Sequence, residues 1–108
     1  MRPAPESVNA RVRQAVDDLK RYGAETVILF GSAARGDMDE YSDLDFIVVK
    51  PTTMSFVARL ADVVRQCPNV RCADVIVYTP EEFRRMREAE NPFLEQAMSE
   101  GKILYEKA

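Results

Sequence analysis

The sequence predicts an α/β (α+β) domain, a small β-sheet with helices packed on one of its faces. Three observations predict it. Apolar, β-branched runs occur at Thr26 to Phe30, Asp43 to Val49 and Arg71 to Tyr78. Amphipathic stretches with helical spacing lie before, between and after them. Glycine or proline punctuates the joins, with no repeat, linker or low-complexity segment, so residues 1–108 read as one domain.

The elements follow in order. Ser7 is placed to cap a helix in which Val8, Val12, Ala15, Val16 and Leu19 recur on one side, ending near Gly23. Thr26 to Phe30 is a strand that runs into Gly31-Ser32. Residues Ala33-Ala34-Arg35-Gly36 read as a short helical turn closed by glycine, with Gly36 at a backbone position needing positive φ. Asp43 to Val49 is the second strand, stopped by Pro51. Phe56, Val57, Leu60, Ala61 and Val64 mark a second amphipathic helix, whose face should cover the sheet opposite the carboxylates. Pro68-Asn69 then turns the chain into the third strand. Thr79-Pro80-Glu81-Glu82 is a helix start with a cap, a proline at the first position and the glutamate of a capping box. Asn91-Pro92 starts a further helix that ends by Gly101, and Ile103 to Tyr105 form a short last strand or an extended tail.

The candidate site lies between the first and second strands. Side chains alternate along a strand, so Asp43 and Asp45 project from one face and Leu44 and Phe46 from the other. Carboxylates side by side repel, and a cation between them relieves the repulsion. Hard oxygen ligands suit Mg²⁺, which is held by one or two carboxylates together with substrate phosphates, so a bound nucleotide is implied. Gly31 lets backbone amides approach a phosphate and the Ser32 hydroxyl adds a donor. Arg35 is either a phosphate contact or part of a surface ion pair. Ser42 reads as a turn residue that positions Asp43, and it stands with Gly31, Ser32 and Arg35 in the candidate nucleotide-binding set. On the third strand Asp74 shares a face with Ile76 and Tyr78. Beside the Asp43–Asp45 strand it would point at the same metal site, and three carboxylates around two divalent cations form a clamp for in-line displacement at phosphorus. Singly, an Asp-x-Asp is an ordinary strand entrance and Gly-Ser an ordinary turn. The conjunction carries the inference, and the reaction class is phosphoryl or nucleotidyl transfer.

Composition narrows the field. The chain has 108 residues, a net charge of −3 and no histidine. Imidazole metal sites and Ser-His-Asp triads are therefore excluded. Basic and acidic residues are interleaved without a basic stripe, so nucleic acid is not expected as a direct ligand. Arg84-Arg85-Met86-Arg87, interleaved with Glu81, Glu82, Glu88 and Glu90, reads as a solvated face or a docking surface. Phe83, Phe93, Leu94 and Tyr105 read as core or interface residues rather than base-stacking platforms. Cys67 and Cys72 lack the spacing of a zinc site and are expected to be reduced thiols. No apolar run approaches membrane-spanning length, and a soluble cytoplasmic protein is expected. One domain of this size leaves no room for an acceptor-binding domain, so the acceptor site must come from a partner or from a second copy.

Taken together, Gly31-Ser32, Ser42-Asp43-Leu44-Asp45, Ala73-Asp74-Val75-Ile76-Val77 and Gly101-Lys102-Ile103-Leu104-Tyr105-Glu106 make the chain resemble the minimal nucleotidyltransferases, the MntA-like antitoxins of the polymerase-beta-like superfamily. The resemblance spans nearly the whole chain. It implies a nucleotidyltransferase fold with a small mixed sheet, and Mg²⁺-dependent transfer of AMP from ATP to a hydroxyl, with pyrophosphate leaving. It also implies a HEPN-domain toxin as partner in a hetero-oligomer, adenylylated on tyrosine. By this similarity Asp43 and Asp45 would ligate both metal ions, Asp74 would hold the catalytic one near the attacking hydroxyl, and Gly31 and Ser32 would grip the triphosphate. Members of the family often carry arginine where this chain has Ala33. Two other readings accompany this one: neutralisation of the partner by binding alone, and a self-associated dimer acting on a small molecule such as an aminoglycoside.

Overall fold

A computed structural model describes residues 6–31, Ala34 and residues 44–107, with side chains from Asn9 onward. Helix α1 spans Glu6–Tyr22, strand β1 Thr26–Phe30, strand β2 Leu44–Val49 and helix α2 Phe56–Gln66. A 3₁₀ turn, Pro68–Val70, leads into strand β3, Ala73–Tyr78. Helix α3, Pro80–Glu88, helix α4, Pro92–Glu100, and strand β4, Lys102–Glu106, complete the chain. Ser7 lies inside the first turn of α1 rather than before it. Residues 102–106 settle the open choice at the C-terminal end in favour of a strand.

The starts of the later helices follow from their caps. Ser55 accepts from the Ala58 amide ahead of α2. At α3 the Thr79 hydroxyl accepts from the Glu82 amide at 3.1 Å while the Glu82 carboxylate accepts from the Thr79 amide at 2.8 Å, the reciprocal box expected from the sequence. The Asn91 side chain accepts from the Leu94 amide at the start of α4.

The four strands lie in the order β3-β2-β1-β4. β1 pairs antiparallel with β2 and with β4, and β2 pairs parallel with β3, so the sheet is mixed. One face is built from Val27, Leu29, Leu44, Phe46, Val48, Val75 and Val77, packed with Ala15 and Leu19 of α1 and Val63 of α2. On the other face Ile28 and Ile47, Cα partners across β1 and β2, pack with Leu94 and Ala97 of α4 and with Phe83 and Met86 of α3. Helices therefore cover both faces, where the sequence suggested one. The reason is visible in Val27-Ile28-Leu29-Phe30 and Phe46-Ile47-Val48-Val49. These runs are continuously apolar instead of alternating, so both faces of the inner strands need cover.

Polar contacts tie the layers together. The Tyr22 hydroxyl donates to the Asp62 carboxylate at 2.6 Å, joining α1 to α2. Arg59, only 6 % exposed, donates to the Val77 carbonyl at 3.1 Å and to Glu82 at 2.7 Å, joining α2, β3 and α3. Among the described residues no buried side-chain nitrogen or oxygen lacks a hydrogen-bond partner, and no helix is long and apolar enough to cross a membrane.

Candidate functional site

Asp45 and Asp74 are Cα partners in the parallel β2–β3 ladder. Neighbouring strands run about 4.8 Å apart and registered residues face the same way, so the two carboxylates stand abreast. Their neighbours on that face are Ile47 on β2 and Ile76 and Tyr78 on β3, opposite the face covered by α1 and α2. The sequence placed α2 on the far side from the carboxylates, and there it lies. Its covering face differs from the expected one: Arg59, Asp62 and Val63 are buried on the sheet side, while Phe56, Val57, Leu60 and Ala61 face outward. Asp74, on the edge strand, is exposed, while Asp45, one strand further in, is half-buried.

β1 brings a third part of the candidate set against Asp45. Phe30, its last residue, is the Cα partner of Asp45, and Gly31 follows with φ of +73°. A Cβ at Gly31 would overlap Oδ2 of Asp45 and stand 3.2 Å from its Cγ. Gly31 is thus required twice, for its left-handed backbone and for the closeness with which the chain passes over the carboxylate. Ala34 further along is buried in the core. Ser32, Ala33, Arg35, Gly36, Ser42 and Asp43 lie outside the described residues.

The described part of the site fits a divalent, hard cation. Its donors are carboxylate oxygens from adjacent strands, on one face, with a residue lacking a Cβ against one of them. Among the described residues no group of three or more His, Cys, Asp or Glu side chains is placed to hold a metal ion. The third carboxylate expected from the sequence, Asp43, is one of those outside them.

A feature that the sequence reading did not assemble adjoins this site. Phe30, Gly31, Phe93, Gln96, Ala97 and Glu100 line a cleft of about 190 Å³ between the end of β1 and α4. Phe30 and Phe93 meet edge to face, ring centres 5.7 Å apart. The adjacency of Phe30 to Gly31 was readable, but Phe93 reaches the cleft only because α4 folds back over Ile28 and Ile47. A wider hollow of about 800 Å³, lined by Thr52, Thr53, Thr79, Glu81 and Arg84 among others, lies at the opposite ends of β2 and β3 from the aspartates. Tyr78 points to the carboxylate face too, and burial, then the nearby Glu82, raises its phenol pKa, so it stays protonated.

Comparison with known proteins bears on the family and the fold. Residues 14–108 match the family model for polymerase beta, nucleotidyltransferase. No curated protein matches the chain. Among solved structures, a candidate nucleotidyltransferase from Sulfolobus solfataricus superposes with a TM-score of 0.54 at 27% identity, over 79% of this chain and 84% of that one. A chain of a toxin–antitoxin complex with AMP-PNP superposes with a TM-score of 0.51 at 21% identity, over 94% of this chain and 72% of that one. A variant of the MntA-HpeT toxin–antitoxin gives a TM-score of 0.52 at 22% identity, over 93% and 72%. The last two share the fold. With the family model spanning residues 14–108, this chain belongs to the polymerase beta nucleotidyltransferase family.

Proposed function

We propose that this chain transfers AMP from ATP to a tyrosine hydroxyl on a HEPN-domain toxin and thereby acts as its antitoxin in the cytoplasm. The observation that carries the reading is the registered pair Asp45 and Asp74, with Gly31 folded against Asp45. The likeness of the fold to chains of toxin–antitoxin complexes, one of them holding AMP-PNP, supports the partner and the nucleotide.

In the reaction the acceptor oxygen bonds to the α-phosphorus, the bond to the bridging oxygen breaks, and pyrophosphate leaves. Asp43, Asp45 and Asp74 would hold two Mg²⁺ ions. When bound, such ions neutralise charge at the phosphates and favour the ionised acceptor. Gly31, with its close backbone, and the Ser32 hydroxyl bind phosphate oxygens, and Arg35 adds charge there. Asp74 stands on an edge strand, so a macromolecular acceptor reaches it without crossing the sheet. This is how one small domain serves an acceptor it does not itself bind in a pocket.

The test is to incubate the protein with α-labelled ATP, Mg²⁺ and the product of the adjacent gene, and to follow label on that protein. Transfer is expected, and Asp45→Asn and Asp74→Asn should each lower its rate about a hundredfold or more while leaving the circular dichroism spectrum unchanged. Full activity in either variant would show that the carboxylates are misassigned. Neutralisation of the partner without any transfer would favour an antitoxin that acts by binding alone.

A further inference from the structure

The geometry points to a nucleobase subsite in the cleft between β1 and α4, with Phe93 as its stacking wall. This rests on the nucleotidyl-transfer reading above and extends it to the part of the nucleotide that the aspartates do not touch.

The chemistry of the lining selects the ligand class. Phe30, Phe93 and Ala97 are apolar, the Gln96 amide both donates and accepts, and Glu100 is the charged residue of the lining. With no cation among these residues, the cleft is unsuited to phosphate. An aromatic wall with an amide at its rim suits a flat heterocycle, whose faces stack and whose edge carries donors and acceptors. Phe93 is 43 % exposed although Leu94 beside it is buried, and its edge-to-face contact with Phe30 holds the ring.

The platform is rigid. Leu94 and Ala97 anchor α4 on Ile28 and Ile47. At the end of the helix a Cβ on Gly101 would overlap the Ala97 carbonyl oxygen and stand 3.0 Å from that of Leu29, so α4 and β1 close tightly there. Gly31 is shared: it lines the cleft and adjoins Asp45. A triphosphate held against Gly31 therefore has its base beside Phe93, which lines the same cleft. The acceptor is left the other side, because Asp74 lies across β2 on the open edge of the sheet. The sequence assigned Phe93 to core or interface. On this proposal Phe93, which lines the cleft and is partly exposed, serves instead as the stacking wall.

Calorimetric titration of ATP and of inorganic tripolyphosphate, each with Mg²⁺, separates the base from the phosphates. Phe93→Ala should weaken ATP about tenfold, within the range of one base–aromatic stack, and leave tripolyphosphate unchanged. Phe93→Tyr should retain ATP affinity. Gln96→Trp, which plugs the cleft from an exposed position on α4, should also lose ATP selectively and guards against misfolding of the alanine variant. ATP affinity unchanged in both Phe93→Ala and Gln96→Trp would overturn the subsite. If transfer to the partner collapsed in them all the same, the cleft would belong to the acceptor. A wild-type protein that bound neither ATP nor tripolyphosphate would instead overturn the nucleotidyl-transfer reading itself.

Discussion

At the scale of single residues, Gly31 is constrained in two independent ways. It combines a φ of +73° with the Asp45 carboxylate where a Cβ would stand. Gly31→Ala should cost stability by about 1–2 kcal/mol from backbone conformation alone, and more as Asp45 is displaced. Nucleotide transfer should fall further than stability does, because the displaced group belongs to the candidate site. Denaturant unfolding together with the transfer assay would check this, and a variant with wild-type rate would show that Asp45 has room to spare. The residue level is also where the sequence was most legible. Alternation along each strand set Asp45 opposite Phe46 and put Asp74 with Ile76 and Tyr78, but that the two carboxylates share a face depends on the β2–β3 register, which the structure supplies. Nor did spacing reveal why Gly31 has to be glycine, because the obstructing atom comes from another strand.

Among elements, α1 and α2 are joined by a polar contact on the side of the sheet away from the aspartates. Hydrogen bonds from Tyr22, then Arg65 and Gln66, hold the Asp62 carboxyl at about 2, below the usual carboxylate range. Tyr22 is raised in turn, by burial first and then by Asp62. A depressed carboxylate pKa contributes stability that is present above the unfolded value near 4 and is lost as pH falls from there towards about 2. Thermal unfolding across that window should show the loss, and Asp62→Asn should flatten it while costing about 1–2 kcal/mol at neutral pH. An unchanged acid slope in the variant would assign the loss to other carboxylates. Element starts were readable where the signal is local: Thr79 with Glu82 and Asn91 with Pro92 cap their helices as their order implied. Which face α4 would cover was not, because that depends on unpartnered apolar surface at Ile28 and Ile47, which only the assembled sheet presents.

For the molecule as a whole, the site joins β1 and β2 of the sheet's middle to β3 at its edge, and a ligand held there bridges them. Ligands that bind only the native state raise apparent stability by mass action. ATP with Mg²⁺ at about a hundred times its dissociation constant should add roughly 2.7 kcal/mol, a shift on the order of 10 °C in melting temperature for a domain of this size. Chelating the cation should remove most of the shift, and so should Asp45→Asn. A melting temperature indifferent to both would mean that the carboxylates do not hold the ion. The class of the fold was legible from alternating elements, whereas strand order was not, because β4 pairs with a strand distant in sequence.

That last pairing has a kinetic consequence. Thr26 faces Glu106 and Leu29 faces Lys102, so β1 gains its second neighbour only when a segment from far along the chain returns to it. Closing so long a loop makes this a late step, costly in chain entropy and slow relative to helix formation. Because β4 follows directly on α4, the same step seats Phe93 beside Gly31. A chain still being synthesised therefore carries both aspartate strands before it carries the cleft, and competence for nucleotide waits on α4 and β4.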